Sequence, residues 1–227
     1  MKCGIVGLPN VGKSTLFNAI TKSGIEAANY PFCTIEPNSG IVEVPDLRLN
    51  KLAAIVNPEK IMPAIVEFVD IAGLVAGASK GEGLGNKFLA NIRETNAILH
   101  VVRCFDDENI VHVDGKIDPL GDIETINTEL ILADMESVSK AIEKEKKKSK
   151  SGDKEALKKL NLYELVLEKL NQGTLLKDMD LEKDDLKLLQ PLFLITLKPV
   201  MYVANVDENG FKDNDYLQKV IDFAETH

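Results

Sequence analysis

The sequence predicts an α/β fold, a mostly parallel sheet flanked by helices, with a phosphate-binding loop after the first strand and a helical hairpin inserted before the last. Three observations predict it. Gly7-Leu8-Pro9-Asn10-Val11-Gly12-Lys13-Ser14 fits G-x-x-x-x-G-K-[ST] and stands between an apolar run, Lys2 to Val6, and a helix-like stretch through Ile20. Gly40–Val44, Ile65–Val69, Ala97–Val102 and Val200–Ala204 read as further strands, most of them the continuous β-branched runs of strands covered on both faces. Helical stretches separate several of these runs, which favours parallel pairing. Together they define a P-loop NTPase fold of the GTPase type.

The third observation is the insertion between the fourth and fifth strands, from Asp122 to Leu194. Ile131, Met135, Val138 and Ile142 follow 4-3-4 spacing, and Leu160, Tyr163, Leu167 and Leu170 follow 3-4-3 spacing. A Lys-rich stretch with Ser149, Ser151 and Gly152 divides the two arms, so the segment reads as an antiparallel helical hairpin, a coiled coil with its tip near residue 150. Two amphipathic helices lying flat on the domain remain the alternative. The nucleotide domain therefore divides into 1–121 and 195–227 around an insertion at 122–194. After Asn205-Val206-Asp207-Glu208 one more helix-like segment ends the sequence without a sixth strand, which reads as a fragment of a longer protein.

Bulk properties narrow the class. The 227 residues suffice for one good core, and 44% hydrophobic with 28% charged residues are ordinary for a globular protein. Cys3, Cys33 and Cys104 are far apart, without metal-ligand spacing, and read as reduced thiols. No apolar run reaches the roughly 18 residues of a membrane span, and Met1-Lys2 leads directly into a strand, so a cytoplasmic protein without membrane contact is expected. A net charge of −9 argues against a surface coated in phosphate-binding cations. The charge is uneven, however: Lys140 to Lys159 holds nine lysines against four acids, a net of +5, leaving −14 elsewhere. That basic spot at the hairpin tip suggests RNA, ribosomal above all, bound through phosphate contacts because aromatic residues are few there. No DNA specificity is expected.

The loop from Gly7 to Ser14 can wrap phosphates with its N–H groups, including those of Asn10, Val11, Gly12, Lys13, Ser14 and Thr15. Lys13 can reach the β- and γ-oxygens, and Ser14 can ligate Mg²⁺. Asp70-Ile71-Ala72-Gly73 follows the third strand, where Asp70 can hold Mg²⁺ directly or through water and Gly73 can offer its N–H to the γ-phosphate. Thr34, in the first long loop, is placed as the second hydroxyl on Mg²⁺. Gly77, Gly81, Gly83 and Gly85 give the segment after Gly73 unusual backbone freedom, as a nucleotide-dependent switch needs; a merely flexible loop is the plainer reading.

Asn205-Val206-Asp207-Glu208 occupies the place where GTPases read guanine with N-K-x-D. Val206 replaces the Lys, and Glu208 carries its carboxylate one methylene further out than Asp. Guanine loses its two-bond partner, while Asn205 can still address N7 and the 6-amino group of adenine. A site stripped of a matched readout changes preference readily, because an unmatched buried polar group costs about 1–3 kcal/mol. ATP over GTP is the expectation. Leu74 stands where GTPases of the Ras type carry the Gln that orients the attacking water. That work falls to another group: a K⁺ held beside the phosphates by Asn10, or His112, just past the fourth strand at the rim where ligands bind in such sheets. An Asn10 making only a local turn bond is equally open. His100, inside an apolar strand, reads as a core histidine.

These residues carry a family resemblance. Gly7–Thr15, Asn29-Tyr30-Pro31-Phe32-Cys33-Thr34-Ile35-Glu36-Pro37-Asn38, Asp70–Leu74 with Gly77–Asn86, and Asn205–Glu208 resemble YchF, the Obg-like ATPases, over essentially the whole chain. The resemblance implies an ATPase able also to bind GTP, an inserted helical hairpin, Mg²⁺ on Ser14 and Thr34, ribosome association and a hydrolytic role for His112. The family continues into a Ser-Ala base loop and a TGS domain, neither of which this sequence contains.

Two classes of function follow. In the first, the protein hydrolyses ATP to ADP and phosphate. In the second, it is a GTP-specific switch or a nucleotide-gated RNA- or ribosome-binding module whose product is a conformation. A small-molecule kinase shares the phosphate loop but needs an acceptor site or lid, and no signature of either is present.

Overall fold

In a computed structural model of the chain, residues 1–21, 38–71, 84–110, 112, 115–150 and 152–227 are described. Five strands, β1 (Lys2–Val6), β2 (Ser39–Glu43), β3 (Ile65–Asp70), β4 (Ala97–Arg103) and β5 (Val200–Asn205), form one sheet in the order β2-β3-β1-β4-β5. The pairs β1–β3, β1–β4 and β4–β5 are parallel and β2–β3 is antiparallel. Each strand lies within one residue of its sequence-expected bounds, because β-branched apolar runs need cover on both faces. β4 is buried along its whole length, while β2 and β5, at the sheet edges, are only half covered.

Chain order reverses at β1: β3 and β2 lie to one side of it, β4 and β5 to the other. The crevice above its C-terminal end is therefore the switch point where open α/β sheets take ligands. α1 (Lys13–Thr21) leaves this point directly, α2 (Leu47–Val56) links β2 to β3, and α3 (Leu84–Arg93) leads into β4. Ile5, Val6, Val69, Ile71, Ile92, Ile98 and Val101 form the centre of the first core.

The insertion departs from a free hairpin. α4 (Pro119–Ser149) starts before Asp122 and runs unbroken for 31 residues; Asp118 caps it by accepting from the Gly121 N–H at 3.3 Å, and Pro119 opens it. Its first half buries Ile126, Leu130 and Ala133 in the sheet core. Its second half packs on α5 (Lys154–Asn171) through Val138, Ile142, Leu160, Tyr163, Val166 and Leu170. Gly152 at φ 84° precedes Asp153, which caps α5; the two helices run antiparallel, and Lys146 bridges to Glu164 at 3.0 Å across them. The rest of the insertion is not arm. It folds as a 3₁₀ turn (Leu176–Asp178), α6 (Lys183–Leu189) and a second 3₁₀ turn (Gln190–Leu192); Leu176 and Leu189, with Leu194 just beyond, close the root of the hairpin core. The heptad-like seam had hidden this piece because its apolar residues are irregularly spaced. α7 (Asp215–Thr226) ends the chain. Among the described residues no helix is long and apolar enough to cross a membrane.

One buried carboxylate ties the insertion to the sheet. Asp134, wholly inaccessible on α4, accepts from the N–H groups of Ile195 (3.0 Å) and Thr196 (2.7 Å) and from the Thr196 hydroxyl (2.8 Å), with the Arg93 guanidinium at 3.5 Å. Arg93, the last residue of α3, also donates to the Ala133 carbonyl and the Ser137 hydroxyl. Burial pushes the Asp134 carboxyl up, against four contacts that favour its ionised form. Truncation orphans these donors, so Asp134→Ala is expected to lower unfolding stability by about 3 kcal/mol, measured by urea denaturation with an unchanged m-value.

Candidate functional site

The phosphate loop runs from the C-terminal end of β1 into α1. Gly12 holds φ at 98°, and a Cβ there would collide with the Asn205 side-chain amide. Glycine is therefore required by conformation and by space. Gly7, at φ 153°, would put a Cβ 2.5 Å from the Val101 carbonyl oxygen. Asn10 sits at φ 63°, a left-handed conformation that Asn tolerates.

Lys13, the first residue of α1, is only 7% exposed, and its Nζ donates to the Leu8 carbonyl at 2.7 Å, inside the curl of the loop. Burial pushes its ammonium pKa down, and the Asp70 carboxylate opposes the shift. Beside it Ser14 Oγ donates to Asp70 Oδ2 at 2.7 Å, across 56 residues of sequence. A hydroxyl, a carboxylate and a buried ammonium thus meet at the end of β1 and β3. The donor set is hard oxygen, which suits Mg²⁺, an ion that takes one or two protein oxygens and completes its shell with waters and substrate phosphates. Among the described residues no cluster of three or more His, Cys, Asp or Glu offers an all-protein metal cage. Gly73, Leu74 and Thr34 lie outside the described residues.

The base segment adjoins the loop. Asn205 ends β5, and its Nδ2 donates to the Val11 carbonyl at 2.9 Å, which ties the two motifs together over 194 residues. That bond uses one of the two amide N–H groups and leaves the other, together with Oδ1, for a base. A cavity of about 470 Å³ opens here, lined by Asn10, Gly12, Thr15, Phe105, Ile110, Asn205, Val206 and Asp207. Glu208 is exposed and not among the lining residues, and Asp207 accepts from the Asn209 N–H, shaping the turn. A larger cavity, about 710 Å³, lies between α4 and α7 and contains none of the motif residues.

Sequence reasoning missed what supports this wall. Arg103, at the end of β4, is 2% exposed and donates to the carbonyls of Phe105 (3.1 Å), Ile110 (2.9 Å) and Asp107 (3.3 Å), while its guanidinium lies over the Phe105 ring at 4.7 Å. It clamps the loop that presents Phe105 and Ile110 to the cavity. The available signal was a charge at the end of an otherwise apolar strand. His112 lies past this loop in a second cavity of about 620 Å³, with Ile110 common to both, and its Nε2 stands 3.1 Å from Asp122 Oδ2. Cys104, buried behind the loop, is pushed up to about 12 by burial and the nearby Asp122, and is an inert thiol at neutral pH.

The arrangement is that of a P-loop nucleoside-triphosphate domain with the GTPase strand order. A family model described as 50S ribosome-binding GTPase matches residues 2–132. The chain belongs to that family and, within it, to the YchF proteins. It is 63% identical over 224 residues to the ribosome-binding ATPase YchF of Haemophilus ducreyi, a match covering 99% of this chain and 62% of that protein. To the ribosome-binding ATPase YchF of Bacillus subtilis it is 55% identical over 227 residues, covering 99% and 62%. The structure of the Schizosaccharomyces pombe YchF GTPase superposes with a TM-score of 0.82 at 39% identity, over 100% of this chain and 62% of that one. The chain thus spans about three fifths of the length of the relatives it matches.

His100, paired with Val6 directly beneath the phosphate loop, is held at about 3, chiefly by burial and then by Lys13. It is neutral when folded, whereas its unfolded value is 6.5. The unfolded chain binds the extra proton between these values, so stability rises with pH across that window and is lost as pH falls from about 6.5. The slope from this one group approaches about 1.4 kcal/mol per pH unit. His100→Gln is expected to flatten the dependence of unfolding free energy on pH between roughly 4 and 6.5, measured by urea titration at each pH.

Proposed function

We propose that this chain is the nucleotide-hydrolysing part of a cytoplasmic, ribosome-associated ATPase, cleaving ATP to ADP and phosphate and using GTP less well. The observation that carries the reading is the buried Lys13 ammonium inside the phosphate loop, beside the Ser14–Asp70 pair and next to a cavity entered by Asn205. The names of the bacterial relatives support ATP and the ribosome. Phe105, Ile110 and Val206 give the base cavity apolar walls, and the Lys and Asp that guanine recognition requires are replaced by Val206 and Glu208.

In this reading the loop N–H groups from Asn10 to Thr15 and Lys13 hold the β- and γ-phosphates. Ser14 and Thr34 are the protein ligands of Mg²⁺, with Asp70 holding the Ser14 hydroxyl or a metal water. The bound ion supplies charge neutralisation on the phosphate oxygens. Water attacks the γ-phosphorus in line, the bond to the β–γ bridging oxygen breaks, and Lys13 with the loop amides stabilises the charge that moves onto ADP. His112 places the water, Gly73 senses the γ-phosphate, and Asn10 marks the place of an accompanying K⁺.

Lys13→Ala is expected to weaken ATP binding and to lower turnover by at least about a hundredfold, with free phosphate as the product lost. Calorimetric titration of the unmodified chain with ATP and with GTP in Mg²⁺ is expected to give the smaller dissociation constant for ATP. Unchanged turnover in the variant, or tighter GTP, defeats the reading.

The ribosome contact is assigned to the lysines at the end of α4 and the start of α5. Lys140, Lys146, Lys148 and Lys159 are engaged by neighbouring carboxylates. That leaves Lys144, Lys147, Lys150, Lys154 and Lys158 as the candidates for phosphate contact. Binding to ribosomes is expected to weaken steeply between about 50 and 200 mM salt, read by co-sedimentation; a flat salt response sinks the assignment.

A further inference from the structure

We propose that Arg103 is the positioning residue for the nucleobase: its guanidinium holds the loop at 104–110 in the shape that sets Phe105 and Ile110 against the base. The proposal deepens the reading above and rests on the assignment there of the cavity beside Asn205 to the base.

Arg103 does not line that cavity, so its effect there passes through the loop. Three backbone carbonyls of one short segment converge on it. Nε donates to Phe105 at 3.1 Å, Nη1 to Ile110 at 2.9 Å and Nη2 to Asp107 at 3.3 Å. A guanidinium is flat and rigid, with its N–H groups in fixed directions, so the carbonyls bound to it are also fixed relative to one another. Its central carbon lies over the Phe105 ring, 4.7 Å from the centroid, which holds the side chain of that residue as well as its main chain. Two of the three residues held in this way, Phe105 and Ile110, line the base cavity.

The rest of the loop is built around the same point. The Ile110 N–H donates to the Asp107 carbonyl at 3.1 Å, and Asp107 Oδ1 accepts from the Asn109 N–H at 2.8 Å, a tight turn that brings Ile110 back to the guanidinium. At the start of the loop the Cys104 N–H donates to the Asn205 carbonyl at 2.7 Å, and Asn214 Nδ2 donates to the Cys104 carbonyl at 2.9 Å. Arg103 itself pairs with Asn205 across β4 and β5, so the clamp stands directly beside the base-facing amide. A buried arginine that serves stability alone is ordinarily neutralised by a carboxylate. This one is 2% exposed, and among the described residues its guanidinium bonds go to carbonyls of the wall it supports. Apolar contact with a base does not read its hydrogen-bonding edge, because every base has a π-face. Arg103 therefore governs how tightly a base is held and leaves the choice between adenine and guanine to residues 205–208.

Ribose 5′-triphosphate, which has the sugar and phosphates of ATP without the base, separates this role from a general loss of structure. In Arg103→Met the three carbonyls lose their donor. Its dissociation constants for ATP and GTP are expected to rise roughly ten- to a hundredfold by calorimetric titration, with their ratio kept within about twofold. Its dissociation constant for ribose 5′-triphosphate is expected to stay within about twofold of the unmodified chain's. Arg103→Lys keeps the buried charge but not the planar fork, and is expected to lose at least about threefold in ATP affinity with the same split between ligands. In the unmodified chain, ATP is expected to slow hydrogen exchange at the Ile110 amide, and ribose 5′-triphosphate to leave it unchanged. Wild-type ATP affinity in either variant overturns this proposal alone, as does equal weakening of ATP and ribose 5′-triphosphate, or a loss confined to one base. An unmodified chain that binds ATP no more tightly than ribose 5′-triphosphate overturns it together with the reading on which it rests. Equal protection of Ile110 by the two ligands overturns it whether or not either variant folds.

Discussion

Lys13 is a cation kept almost wholly out of water, and the phosphate loop is organised around the cost of keeping it there. Burial disfavours the charged ammonium; the Leu8 carbonyl and the Asp70 carboxylate offset part of that penalty. Everything near it serves the same spot. The loop curls because Gly7 and Gly12 accept backbone angles and contacts that a Cβ forbids. Asp70 arrives because β3 pairs in register with β1, Ile5 facing Asp70. The Ser14 hydroxyl is held on that same carboxylate. An anion entering the loop meets a charge already stripped of solvent, so little reorganisation is left for the ligand to drive.

Most of this was legible in the sequence, and for identifiable reasons. The phosphate loop is a run of contiguous residues, so Gly7, Gly12, Lys13 and Ser14 announce it without knowledge of the fold. The strands were readable because β1 and β4 are buried on both faces and cannot hide a polar residue cheaply; His100, kept neutral by its surroundings, and Arg103, held by backbone carbonyls, are the exceptions in β4. What escaped was whatever depends on how a loop folds back onto the strand or helix beside it. Arg103 reads as a strand-end charge until its three carbonyl acceptors are seen, and Asp122 reads as a helix-start acid until His112 is found against it. Asn205 reads as a base-contacting amide, and only the fold shows that one of its two side-chain N–H groups is spent on the Val11 carbonyl. Spacing alone could not separate the hairpin's root from its arms. Leu176, Leu189 and Leu194 fall on no heptad, but they bury against the same seam.

The two cores are joined by shared pieces and not by a linker. α4 contributes Ile126 and Leu130 to the sheet and Val138 and Ile142 to the hairpin. Asp134, midway along it, gathers the chain returning to β5 and the last residue of α3 onto one carboxylate. α3 begins just after the Gly-rich segment that follows Asp70, so the helix nearest that segment ends on the clasp at the hairpin's root. Lys198 strengthens the same junction by donating to the carbonyls of Arg93 and Thr95.

A helix of 31 residues without a break is about 45 Å of stiff rod, held against the sheet along its first half and clasped midway at Asp134. Such a rod is a pointer. A tilt of about 5° at that clasp carries the far end, about 23 Å on, through roughly 2 Å, so movements too small to change the sheet's hydrogen bonding are enlarged at the lysine-bearing end.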